Sequence, residues 1–157
     1  MSAKELAARL KASGGMIVTA ESCTGGWVAQ ELTAIAGSST WFDRGFVTYS
    51  NEAKQEMLGV RGETIARFGA VSEETAGEMA RGALEKSRGT LSLAITGIAG
   101  PSGGTPAKPV GTVCFAWATK NRPGRAETKR FSGDREAVRR QSVEHALAGA
   151  LSILDEG

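Results

Sequence analysis

Thr96-Gly97-Ile98-Ala99-Gly100-Pro101-Ser102-Gly103-Gly104-Thr105 is the stretch that decides how this chain is read. Before it lies Leu91-Ser92-Leu93-Ala94-Ile95, an apolar run of strand length. After it comes Val110-Gly111-Thr112-Val113-Cys114-Phe115-Ala116-Trp117-Ala118, a second such run. Glycines in a loop between two strands let the backbone approach a ligand and aim N–H groups at an anion. A second loop of the same kind, Ala20-Glu21-Ser22-Cys23-Thr24-Gly25-Gly26, follows the apolar Met16-Ile17-Val18. Either loop alone reads equally well as a tight turn. Both together predict one polar pocket at one edge of a sheet, where open α/β folds bind ligands.

Working outward, a helix is expected to Ala12, stopped by Ser13-Gly14-Gly15, and a buried strand from Met16 to Thr19. Trp27, Val28, Leu32 and Ile35 repeat at helical spacing up to Gly37. Phe42 to Tyr49 alternates like a strand, and Ser50-Asn51-Glu52 reads as the cap of a short helix to Leu58. A short helical turn over Glu63 to Phe68 precedes a longer helix capped by Ser72 and running to Ser87. Strands are expected at 90–96, 111–119 and 126–131, then a final helix from Gly133. Strands separated by helices predict an α/β layered domain with a mixed, mostly parallel sheet. The last strands are too close in sequence for helical crossovers, so at least one must be antiparallel. Residues 1–157 read as one domain without repeats.

A hydrophobic content of 41% and a charged content of 23% are those of an ordinary globular protein, and a net charge of +2 gives no argument for nucleic acid. The basic residues Lys120, Arg122, Arg125, Lys129, Arg130, Arg135, Arg139 and Arg140 alternate with acids and lack interleaved aromatics. They suit a solvated face or one small anionic group better than a nucleic-acid groove. Two unpatterned cysteines and one histidine argue against a zinc site, and no metal or cofactor is expected. No run approaches transmembrane length and the first residues do not read as a signal peptide, so the cytoplasm is the expected compartment and no membrane partner is foreseen. A homo-oligomer is favoured, because small α/β enzymes often build pockets at subunit contacts.

The sequence lacks both a Walker A loop and a G-x-S-x-G elbow. Cys23 with His145 would make a thiol hydrolase pair, but His145 sits mid-helix and reads as a partly exposed helix residue. What remains is a Ser/Tyr/Lys set. Gly37-Ser38-Ser39-Thr40 is followed by Tyr49, the only tyrosine, and then by Lys54 in the first turn of the short helix. A serine hydroxyl needs a base to take its proton, and a buried lysine can be that base. Spacing alone leaves a helix-ending turn, a core tyrosine and a surface lysine as the alternative.

The loop Ala20 to Gly26, Gly37-Ser38-Ser39 with Phe42, Val47-Thr48-Tyr49-Ser50-Asn51-Glu52-Ala53-Lys54, and Ala94 to Gly104 with Pro109-Val110-Gly111-Thr112-Val113 resemble the CinA C-terminal domain family. The likeness spans roughly residues 4–155. It implies a three-layer α/β/α fold with a mixed sheet. For the stand-alone members it implies hydrolysis of the carboxamide of nicotinamide mononucleotide to nicotinate mononucleotide and ammonia. It implies Ser39 as the nucleophile, Lys54 as its base and Tyr49 as an orienting or relaying group. Donors among Ser22, Thr24, Gly25 and Gly26 would hold the oxyanion. Backbone at Gly97, Ala99 and Gly100, or Arg135 with Arg139, would take the 5′-phosphate, and Thr96 and Ser102 would contact ribose or carboxamide. Should Ser39 fail, Ser22 and Cys23 are the other nucleophiles. Many members carry a further N-terminal domain resembling molybdopterin-binding proteins, and nothing tied to that domain is inferred. A second reading is a nucleotide-binding regulatory module without efficient turnover; a third is an amidase for another pyridine or nucleotide substrate.

Overall fold

The computed structural model describes residues 2–156. In chain order the elements are α1 (Ser2–Ser13), β1 (Ile17–Glu21), α2 (Trp27–Thr33), a 3-10 turn (Ser38–Thr40), β2 (Phe42–Val47), α3 (Asn51–Leu58), α4 (Gly62–Phe68), α5 (Glu73–Glu85), β3 (Leu91–Gly97), β4 (Thr112–Thr119), β5 (Arg125–Arg130) and α6 (Arg135–Glu156). The strands form one five-stranded sheet in the order β2-β1-β3-β4-β5. β1 is parallel to β2 and β3, whereas β4 is antiparallel to β3 and β5. Only β4 runs against the rest, as the short connections on either side of it require.

Alternation along the strands builds a core on each face. Leu91, Leu93 and Ile95 of β3 join Val113, Phe115 and Trp117 of β4 beneath α1, α2 and α6. Ala94, Cys114, Ala116 and Ala118 face the other way, against Ala76, Met79, Ala80 and Ala83 of α5. The small residues on this second face let α5 lie close to the sheet, and Ser92 Oγ donates to the Ala80 carbonyl at 2.8 Å. The result is the expected three-layer α/β/α sandwich.

The topology also places the site. From β1 the chain crosses over α2, on one face, to β2. From β2 it crosses back over α3, α4 and α5, on the other face, to β3. The carboxyl ends of β1, β2 and β3 share one edge, and the loops after them part to opposite sides. That divergence is where open α/β sheets form their ligand crevice.

Candidate active site

Ser50 Oγ accepts from the Ala53 N–H at 3.0 Å and starts α3. Lys54 lies in the first turn, and helix side chains lean toward the amino end. Its Nζ therefore reaches back to the chain before the helix, donating to the carbonyls of Thr48 at 2.9 Å and Tyr49 at 3.2 Å. The third neighbour is Ser22 Oγ at 3.0 Å, in the loop after β1. Lys54 is 1% exposed. Burial disfavours the ammonium and lowers its pKa below the usual 10.5. A Cys23 thiolate would oppose that shift, but burial pushes the Cys23 thiol up to about 12, so it is neutral near pH 7. A neutral amine has two N–H bonds and one lone pair. In that form the two carbonyls accept the N–H bonds and the lone pair faces the Ser22 hydroxyl; with the ammonium, Nζ donates to Ser22 Oγ, whose hydroxyl donates to the Tyr49 carbonyl at 3.4 Å.

The Ser22 loop is held from two sides. The Ser22 N–H donates to the Ile95 carbonyl at 3.0 Å and the Gly25 N–H to the Ser22 carbonyl at 3.0 Å. Gly25 (φ 61°) and Gly26 (φ 106°) adopt the left-handed region that turns the chain into α2. The buried Glu21 carboxylate collects N–H and O–H groups from this turn. Arg139 takes its carbonyls, with Nε donating to Cys23 O at 3.0 Å and Nη2 to Thr24 O at 3.2 Å. Trp27 packs 5.4 Å from the Arg139 guanidinium. Among the described residues the N–H groups of Cys23 and Thr24 have no hydrogen-bond partner.

A cavity of about 310 Å³ opens over this pair. Ser22, Cys23, Tyr49 and Lys54 line one side, and Thr96, Gly97, Ile98, Ala99, Gly100, Ser102 and Gly103 the other, with Asn51, Ala70, Val71 and Arg135 completing the wall. Tyr49 is 62% exposed, and its hydroxyl accepts from Arg135 Nη2 at 3.3 Å. Arg135 Nη1 also donates to the Gly100 carbonyl at 2.7 Å, tying the start of α6 to the glycine loop. A larger hollow of about 520 Å³ lies between α5 and β5, but no serine, threonine, cysteine, lysine or histidine lines it.

The structure brings Tyr49, Lys54, Ser22, Cys23, Thr96, Gly97, Ala99, Gly100, Ser102 and Arg135 together around the cavity and leaves Ser39, Thr24, Gly25, Gly26 and Arg139 outside its lining. Ser39 lies in the 3-10 turn that enters the amino end of β2, whereas Lys54 follows its carboxyl end. Six extended residues rise about 20 Å, so Ser39 is at the opposite edge of the sheet from Lys54. The serine beside the lysine is Ser22. The Tyr49 hydroxyl, expected as a relay, is turned to Arg135, and it is the Tyr49 carbonyl that meets Lys54. Thr24, Gly25 and Gly26 do not line the cavity: the Thr24 hydroxyl and Gly26 N–H are spent on Glu21 and the Gly25 N–H on the Ser22 carbonyl. Arg139 is likewise engaged with loop carbonyls and does not line the cavity. Thr96 Oγ1 donates to the Ala70 carbonyl at 2.8 Å. Asn51 was missed; it is the first residue of α3, and its place beside Lys54 follows once α3 points its amino end at the crevice. His145 is paired with Glu127 and packs on Phe115, with no contact to Cys23.

Residues 1–154 match the family described as CinA C-terminal domain. Nicotinamide-nucleotide amidohydrolase PncC of Escherichia coli (strain K12) is 61% identical over 138 residues, covering 88% of this chain and 84% of that protein. A CinA-like protein of Syntrophobacter fumaroxidans is 51% identical over 98% of this chain, which spans 36% of that longer protein. The crystal structure of a competence/damage inducible protein from Agrobacterium tumefaciens superposes with a TM-score of 0.91 at 48% identity, covering 99% of this chain and 96% of that one.

Proposed function

Because the chain belongs to the CinA C-terminal domain family, we propose that it is a nicotinamide-nucleotide amidohydrolase whose nucleophile is Ser22 and whose base is Lys54. The observation that carries this reading is the 3.0 Å approach of a buried lysine to a serine hydroxyl at a crevice edge. A pure binding module has no evident need for that pair.

The chemistry follows from the geometry. Ser22 Oγ attacks the carboxamide carbon of nicotinamide mononucleotide while its proton passes to the Lys54 lone pair. The carbonyl oxygen takes up the negative charge. The Cys23 N–H is the donor for it, being unpaired and directly after the nucleophile. Lys54 returns the proton to the leaving nitrogen, the C–N bond breaks, and ammonia departs from an acyl-serine ester. Water, deprotonated by Lys54, attacks the ester and releases nicotinate mononucleotide with Ser22 restored. The Gly97–Gly103 loop and Arg135 form the cavity wall where the ribose and 5′-phosphate lie, Arg135 supplying the cationic group.

The test is ammonia release from nicotinamide mononucleotide by the native chain, Ser22→Ala and Ser39→Ala. Turnover in the native chain and Ser39→Ala, with none in Ser22→Ala, is expected. Turnover that survives Ser22→Ala overturns the assignment. A native chain that binds the nucleotide without releasing ammonia returns the regulatory-module reading.

A further inference from the structure

Glu21 is the last residue of β1, one position before Ser22, and is 1% exposed. A buried carboxylate is costly unless its oxygens are fully met. Here the donors are all neutral. Oε1 accepts from Thr24 Oγ1 at 2.6 Å, from the Val28 N–H at 2.9 Å and from the Gly26 N–H at 3.3 Å. Oε2 accepts from the Ala29 N–H at 3.0 Å. These donors lie on both sides of the two left-handed glycines, Gly25 and Gly26, so the carboxylate bridges the most pliable part of the loop. Opposite it, Arg139 holds the carbonyls of Cys23 and Thr24. Glu21 thus ties the loop to the first turn of α2 through their N–H and O–H groups, and Arg139 takes the loop's carbonyls.

We propose that Glu21 is a positioning residue for the reaction: its carboxyl group fixes the Ser22–Gly26 loop so that Ser22 Oγ stays at the Lys54 amine. This rests on Ser22 being the nucleophile. A glutamine of the same size offers one acceptor oxygen and places an N–H₂ group against N–H donors. With its oxygen at the Oε1 place it keeps the Thr24, Gly26 and Val28 donors but sets its N–H₂ group against the Ala29 N–H, so that bond is lost and the turn is no longer gripped at both oxygens. Misplacing a reacting atom by about 1 Å costs on the order of 100-fold in rate.

The experiment is modification of the full chain by a serine-reactive fluorophosphonate, followed as a rate constant, with the labelled residue located by mass spectrometry. Glu21→Gln and Thr24→Val are compared with the native chain, and kcat per labelled site and KM for nicotinamide mononucleotide are measured alongside. For Glu21→Gln the labelling rate constant and kcat should both fall by about 10- to 100-fold, with KM changed less than about twofold. Neither a rate constant nor KM depends on how much protein is folded, so a merely structural role would leave both unmoved. If Glu21→Gln does not fold, Thr24→Val decides. It removes the Thr24 donor to the carboxylate and should slow labelling by about threefold or more. A labelling rate equal to native in the folded variant, with Ser22 as the labelled residue, overturns the positioning role alone. Failure of the native chain to label at Ser22 overturns the nucleophile assignment and this inference with it.

Discussion

Lys54 Nζ and Ser22 Oγ lie 3.0 Å apart although one belongs to the first turn of α3 and the other to the loop after β1. What joins them is the parallel register of β1 and β2, which pairs Glu21 with Val47 and sets the residues after each strand side by side. The Thr48 N–H donates to the Glu21 carbonyl at 2.9 Å and continues that register one step beyond the strands. The sheet therefore brings the proposed base and nucleophile side by side, and the contacts of Glu21 and Arg139 hold the loop that carries Ser22.

Ser22→Ala should lower kcat for nicotinamide mononucleotide by at least about 10⁴-fold, the loss typical of removing a nucleophile. Ser39→Ala should stay within about twofold of native, since its side chain is exposed at the far edge of the sheet. Steady-state ammonia release from the two variants checks both.

The layers of the fold were legible because the apolar runs that became Leu91–Gly97 and Thr112–Thr119, and the helix-period stretches between strands, are local properties of the sequence. The two polar loops were legible for the same reason, each following an apolar run. The choice between Ser22 and Ser39 was not. Ser39 is nearer to Tyr49 and Lys54 along the chain, but β2 lies between them as an extended rod. Ser22 is far along the chain, yet adjacent through a pairing that only the folded sheet fixes. Arg135 and Arg139 stand one turn apart on α6, which reads as one anion site. The rise of about 6 Å between them instead sends one to Gly100 and Tyr49 and the other to Cys23 and Thr24.

Lys54→Arg should abolish turnover, because a guanidinium stays protonated and has no lone pair to offer. In the native chain kcat/KM should rise with pH through the lowered pKa of Lys54, giving an acid limb centred below 10.5. Stability carries the same signature. The folded state releases the Lys54 proton at a lower pH than the unfolded chain does, so the unfolded state binds more protons between the two values. The cost of burying the ammonium is fully present below the folded pKa and fades as pH rises toward 10.5. The difference in Tm between the native chain and Lys54→Met should therefore shift in favour of the native chain as pH rises across that window. A difference that stays flat with pH would contradict a neutral buried amine.

Arg135→Ala and Arg139→Ala should fail in different ways. Arg135 lines the cavity and can meet the 5′-phosphate, so its loss should raise KM by about 10- to 100-fold, the equivalent of a charge-assisted hydrogen bond. Arg139 is spent on the Cys23 and Thr24 carbonyls, so its loss should lower kcat by about 10-fold or more with little change in KM. Steady-state parameters for both variants separate the roles, and equal KM increases in the two would place both arginines on the substrate.

Gly82 of α5 lies against the end of α3, and a Cβ added there would overlap the Leu58 carbonyl oxygen. That oxygen is backbone and cannot swing aside, so Gly82→Ala must push the two helices apart. Overpacking of this kind costs about 1–3 kcal/mol, which for a chain of this size corresponds to roughly 2–12 °C in Tm. The displacement acts on the same short helix that carries Lys54, one turn before Leu58. Gly82→Ala should therefore lower kcat as well as Tm, although Gly82 does not line the active cavity. Gly77, on the same helix with open space around its missing side chain, is the control: Gly77→Ala should leave kcat unchanged and hold or raise Tm. Thermal unfolding and ammonia release measured on the two variants test whether the seat of α3 on α5 sets the position of the base.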